Sequence, residues 1–206
     1  MEVAIALQVP TEAKLCLSPP ITQPATGCIS AQVLPVLQTQ GRTIDVMLPD
    51  GNCLFRALSK ALFAVQSGHI TLRKLLVTVI ESNERLFGGL CFGTLQSHCK
   101  RMRMASTFGT QAELQAAASL FQIFIYVFHK RSEERGWEWM RYKPYTKESL
   151  SYSGVSIPDA PDAFHIEILY NEAGSHFDLI VPLKAHNILS PPQLPGLHTT
   201  LSIDLS

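Results

Sequence analysis

The run Asp50-Gly51-Asn52-Cys53-Leu54 constrains this chain more than any other stretch. Asp, Gly and Asn favour a tight turn, because Gly accepts any backbone twist and Asp and Asn bond their own backbone. An amphipathic pattern follows at once, with Leu54, Leu58, Leu62 and Val65 at helical spacing beside Phe55, Ala57 and Ala61. Cys53 is therefore placed where a tight loop becomes the first turn of a helix. Free N–H groups and the positive end of the helix dipole favour an anion there. A thiol at such a position ionises more easily, and the thiolate is the nucleophile. The alternative use of Cys53 is as a small buried apolar group.

A nucleophilic sulfur needs a base. The run Ser175-His176-Phe177-Asp178-Leu179-Ile180-Val181 alternates polar and apolar groups and reads as a strand. Residues two apart in a strand share a face, so Asp178 is placed to orient His176. The order nucleophile, base, orienter is then Cys53, His176, Asp178. Partners far apart in sequence are usual for cysteine hydrolases, since the fold brings them together. His176 taken alone would more often be a satisfied structural histidine.

The segment Asp50-Gly51-Asn52-Cys53-Leu54-Phe55-Arg56-Ala57-Leu58 resembles the nucleophile segment of the ovarian-tumour (OTU) cysteine proteases, the papain-like deubiquitinases. Further likenesses follow in that family's order: His69-x-x-Leu72-Arg73, Phe108-Gly109-Thr110-Gln111-Ala112-Glu113-Leu114-Gln115-Ala116, Ile123-Phe124-Ile125-Tyr126-Val127, and His176-Phe177-Asp178. The likeness covers most of the chain, about residues 47–183. Two positions depart from the pattern. Phe108 stands for the family's usual Trp, and Phe177 for the commoner Tyr. None of the three triad positions is lost.

Apolar residues at 46% and a formal net charge of +0 fit a single globular domain and do not favour a nucleic-acid surface. No apolar run approaches the ~18 residues of a membrane span. The amino-terminal run Met1-Glu2-Val3-Ala4-Ile5-Ala6-Leu7 is a poor secretory signal. Five cysteines, odd in number and irregularly spaced, fit a reducing, cytoplasmic setting better than a disulfide framework. Cys91, His98 and Cys99 match no common zinc spacing, so structural or surface use is expected and no metal or cofactor is required. Packing or surface roles are expected for His165 and for Trp137 and Trp139, a helix-starting role for His69, and solvated faces for the basic clusters at 100–103 and 130–135.

The expected organisation is a Pro-rich leader over residues 1–44, irregular between 10 and 40, a catalytic domain over 45–184, and a flexible Pro/Ser/Thr tail over 185–206. Within the domain, the pattern predicts a helix over 71–87 and a capping box at Thr110-Gln111-Ala112-Glu113 starting a helix that ends near Leu120. Strands are predicted over 123–128, 137–142, 164–170 and 176–181, the last two joined as a hairpin. Helices followed by hairpin-linked strands read as α+β. The resemblance implies the papain-like OTU fold, a central, mostly antiparallel sheet flanked by helices.

The resemblance also implies hydrolysis at the C-terminal glycine of ubiquitin or polyubiquitin through a thioester, by a single copy of the chain. Backbone N–H groups of Cys53 and of the Asp50, Gly51 and Asn52 turn are the expected oxyanion donors, with Asp50 shaping the loop. The alternatives are a catalytically silent ubiquitin-binding module, an interaction domain in which the Cys motif is coincidence, and a protease for a ubiquitin-like modifier or a viral polyprotein.

Overall fold

The computed structural model describes residues 29–132, 136–151, 165–171, 175–184 and 192. In chain order the elements are α1 (Ile29–Thr39), β1 (Arg42–Asp45), α2 (Cys53–Phe63), α3 (His69–Ser82), α4 (Glu84–Phe87), α5 (Leu95–Met102), α6 (Gln111–Phe121), β2 (Phe124–Ser132), β3 (Gly136–Tyr142), β4 (His165–Asn171) and β5 (His176–Pro182). Single 3-10 turns lie at Gly88–Leu90 and Lys147–Ser149. The five strands form one sheet in the order β1-β5-β4-β2-β3. β2 and β4 run parallel, and every other neighbouring pair is antiparallel. This is the α+β, mostly antiparallel architecture that the sequence implies.

The strands alternate between two cores, as a pleated sheet with both faces covered requires. On β2, Ile125 and Val127 join Leu54, Leu58, Leu76, Ile80 and Ala117 of the helical layer. Tyr126 and Phe128 face the other side, where they meet Trp139 and the α1 residues Val33 and Leu37. Phe128 lies 4.7 Å from Trp139 and 5.5 Å from Trp137, so the tryptophans pack the sheet, as expected.

α1 corrects the expectation of an irregular stretch up to Gln40. Pro35 lies inside this helix, where proline ordinarily costs about 3 kcal/mol. Val33 and Leu37, one turn apart, are both fully buried against the sheet, and that burial outweighs the penalty. β1 is likewise invisible as a pattern, because Arg-Thr-Ile-Asp has no apolar alternation. Its register comes from pairing with β5, Thr43 opposite Val181. The expectations for residues 1–28 and for most of the tail lie outside the described residues.

Two helix boundaries also differ. The helix predicted over 71–87 begins at His69 and breaks at Asn83, whose backbone leaves the helical region (φ −133°, ψ 54°). Asn83 closes α3 by donating from Nδ2 to the Val79 carbonyl (2.8 Å) while its Oδ1 accepts from Ser151 N–H (2.6 Å). α2 stops at Phe63, with Ala64 in the left-handed region, which leaves Val65 exposed rather than on the buried stripe. The capping box at Thr110 forms as expected: Glu113 Oε2 accepts from Thr110 N–H (2.7 Å) and starts α6. None of the described helices is long and apolar enough to cross a membrane.

Candidate active site

Cys53 is the first residue of α2, fully buried, directly after the 50–52 turn. His176 opens β5, which lies in the sheet between β1 and β4. The fold brings the two close enough for the imidazole and the Cys53 sulfur to interact. The Cys53 Sγ also accepts the Phe177 N–H at 3.4 Å. On the other side of the ring, His176 Nε2 lies 2.9 Å from Asp178 Oδ1. Asp178 is held in turn by Met47 N–H, which donates to the same oxygen at 2.7 Å. Three side chains and two backbone amides thus form one chain of contacts at the junction of α2 and β5.

Burial alone would push His176 down from its ordinary value. The hydrogen bonds to the Asp178 carboxylate and to Cys53, and the attraction of both groups, outweigh burial and raise it to about 10. His176 therefore keeps its proton at neutral pH. The competing thiols differ: burial pushes Cys91 up to about 11 and raises Cys99 as well. Neither has a histidine partner among the described residues, and Cys91 Sγ donates to the Phe87 carbonyl at 3.3 Å. His98 is fully buried with its Nε2 2.8 Å from Glu113 Oε1, tying α5 to α6. Cys91, His98 and Cys99 are thus used structurally. His69 begins α3, as expected.

The 50–52 turn is built from charge and from one glycine. Asp50 accepts from Arg56 (Nη2 to Oδ2, 2.6 Å) and from Asn52 N–H (3.0 Å). The hydrogen bond from the Arg56 guanidinium holds the Asp50 carboxyl well below the usual carboxylate range. Asp50 shapes the loop, as expected. The donor set is narrower than expected, because Asn52 N–H is spent on Asp50 and Asp50 N–H on the Leu48 carbonyl. Gly51 and Cys53 keep N–H groups with no acceptor among the described residues.

Gly51 has φ +75°, and a Cβ there would stand 2.1 Å from the Ser106 carbonyl oxygen. Gly51→Ala therefore meets both the left-handed penalty, about 1–2 kcal/mol, and a backbone collision. A lower melting temperature together with a large loss of turnover is expected. Unchanged melting and unchanged turnover would show that the turn is not clamped as described.

A groove of about 470 Å³ runs between the start of α6 and the β2–β3 face, lined by Gly109, Leu114, Val127, Tyr142 and Phe177 among others, and by none of Cys53, His176 and Asp178. A Cβ at Gly109 would stand 2.4 Å from Leu54 Cδ2, so a side chain here would force Leu54 of α2 to shift. Phe108, in place of the family's usual Trp, is half exposed.

The sequence profile described as OTU-like cysteine protease matches residues 48–155. The chain belongs to this family. Among curated proteins, this OTU chain is 22% identical over 148 residues to human "OTU domain-containing protein 4", a stretch covering 72% of this chain and 12% of that protein. It is 26% identical over 159 residues to the Arabidopsis thaliana "OVARIAN TUMOR DOMAIN-containing deubiquitinating enzyme 11", covering 77% and 57% respectively. Its fold is similar to that of the OTUD1 OTU domain, with TM-score 0.57, 21% identity and coverage of 73% of this chain and 93% of the other. It is also similar to an OTU deubiquitinase from Wolbachia pipientis wMel bound to ubiquitin, with TM-score 0.52, 12% identity and coverage of 69% and 97%.

The motifs single out Cys53, His176 and Asp178 but leave the scaffold of the turn hidden. Nothing in the motifs assigns Arg73, Arg56 or Met47 a role in the site. Arg73 does leave a signal in the sequence: it stands on the apolar stripe formed with Leu76, Val77 and Ile80. A cation on a buried face has a partner to serve.

Proposed function

We propose that this OTU chain is a cysteine-dependent deubiquitinase that hydrolyses isopeptide or peptide bonds at the C-terminal glycine of ubiquitin through a thioester. The observation that carries this is the Cys53–His176–Asp178 contact set, with Cys53 inside the stretch that matches the family profile. A relative named as a deubiquitinating enzyme and an OTU deubiquitinase bound to ubiquitin support the choice of substrate.

In this mechanism the sulfur attacks the glycine carbonyl with its proton held on His176. Asp178 fixes the ring and stabilises its charge. The developing oxyanion is met by the Cys53 and Gly51 N–H groups. His176 then gives its proton to the leaving lysine amine. Water, deprotonated by the same imidazole, cleaves the thioester and frees the ubiquitin carboxylate. Cys53, Cys91 and Cys99 are free thiols, and we assign the activity to a reducing, intracellular setting.

The test is capture by ubiquitin bearing a C-terminal thiol-reactive warhead, with a ubiquitin-like modifier carrying the same warhead in parallel. An adduct at Cys53 formed faster with ubiquitin supports the proposal. No adduct, or an adduct at Cys91 or Cys99, refutes it. Preferential capture by the other modifier would move the chain to the ubiquitin-like-modifier proteases.

A further inference from the structure

Arg73 is a charged side chain that the proposed chemistry does not use. It lies on α3 and is 1% exposed. Its Nη2 donates to the Gly51 carbonyl (3.1 Å), to Asn52 Oδ1 (2.8 Å) and to the Thr107 carbonyl (2.7 Å). Its Nη1 donates to the Met102 carbonyl (3.2 Å), and its guanidinium carbon lies 3.9 Å from the centre of the Phe55 ring. Asn52 Oδ1 also accepts the Ser106 N–H (3.0 Å). One side chain therefore ties the turn before Cys53 to the loop that leads into Gly109.

Two hydrogen bonds meet on one peptide unit. The carbonyl of the Gly51–Asn52 peptide is held by Arg73, and its N–H is held by Asp50 Oδ1. A trans peptide clamped at both ends by charged groups has a fixed plane. The two free N–H groups of the turn, those of Gly51 and Cys53, flank that plane. Burial is a large cost for a guanidinium. A hydrophobic residue at this position would pack α3 without it, and the Arg73 Nε–H finds no partner among the described residues.

We propose that Arg73 is a positioning residue for the oxyanion site: by holding the Gly51 carbonyl and the Asn52 side chain, it aims the Gly51 and Cys53 N–H groups at the carbonyl under attack. The inference rests on the hydrolase function proposed above. It separates two reactions of the same sulfur. Acyl transfer builds negative charge on an oxygen and needs those donors. Alkylation by iodoacetamide forms an S–C bond as iodide leaves and builds no oxyanion.

The experiment compares the parent with Arg73→Gln and Arg73→Lys in two assays, hydrolysis of ubiquitin C-terminal aminocoumarin amide and iodoacetamide alkylation at Cys53. For Arg73→Gln, kcat is expected to fall roughly 10²-fold, the size of one lost oxyanion donor. KM and the alkylation rate should stay close to the parent's. Arg73→Lys keeps the charge and one donor, and should recover part of kcat. If kcat is unchanged, or if alkylation falls in parallel with it, the inference is overturned. Should Arg73→Gln fail to fold, Arg73→Lys decides by the same comparison: lowered kcat with spared alkylation supports the inference, and any other result refutes it. A parent that is alkylated but does not hydrolyse the substrate refutes the proposed function, and Arg73 then has no oxyanion site to position.

Discussion

Cys53→Ala should remove essentially all hydrolysis of ubiquitin conjugates, on the order of a 10⁶-fold loss in kcat, as for other nucleophiles that act within a triad. The substitution removes one sulfur from a buried site at the start of α2, where Ala is a good helix former. With the sulfur go one hydrogen-bond partner of the imidazole and the acceptor for Phe177 N–H. Asp178 and Met47 N–H still hold the far side of the ring. Ubiquitin affinity should therefore be close to the parent's, because binding does not draw on the sulfur. Calorimetric titration of the variant with ubiquitin, together with single-turnover hydrolysis, checks both halves. Residual turnover within tenfold of the parent would show that another group is the nucleophile, and the whole assignment would fall.

His176→Ala is the second large effect. Loss of the proton carrier should lower kcat by roughly 10²–10⁴-fold, the usual worth of general acid–base catalysis. The same variant should reshape the dependence of stability on pH. His176 is raised from 6.5 to about 10 in the folded chain, because its hydrogen bonds to Asp178 and Cys53 outweigh the opposing effect of burial. A group raised on folding stabilises the native state fully below its unfolded value and loses that contribution as pH climbs through its folded value. The parent's advantage in melting temperature over His176→Ala should thus be largest below about 6.5 and shrink between 6.5 and about 10. A difference that stays constant across that window would mean the imidazole is not charged beside Asp178.

Cys53 and its helix are legible in the sequence because a turn signature abuts a 3.6-residue apolar stripe, and both are local properties. His176 and Asp178 are legible because period-two alternation puts them on one face. What stays hidden depends on partners distant in the chain. α1 has no charge pattern and an internal proline, and it exists because Val33 and Leu37 find the back of the sheet. β1 is defined by its pairing with β5. The oxyanion donors narrow only once Asp50 is seen to turn back on Asn52 N–H. Arg73 falls within a family-like motif, yet its four hydrogen-bond acceptors lie 21 to 34 positions away along the chain.

The strand that carries His176 enters the sheet between β1 and β4, while Cys53 belongs to the first helix after β1. The Phe177 amide and the Cys53 sulfur it meets are 124 positions apart. Pairings of such long range form late and slowly. During synthesis, a ribosome-bound chain that has emerged only through β4 carries the sulfur but neither its imidazole nor the strand that completes the sheet. Under the proposed function, cleavage therefore waits until the polypeptide has folded through β5, where His176 joins Cys53.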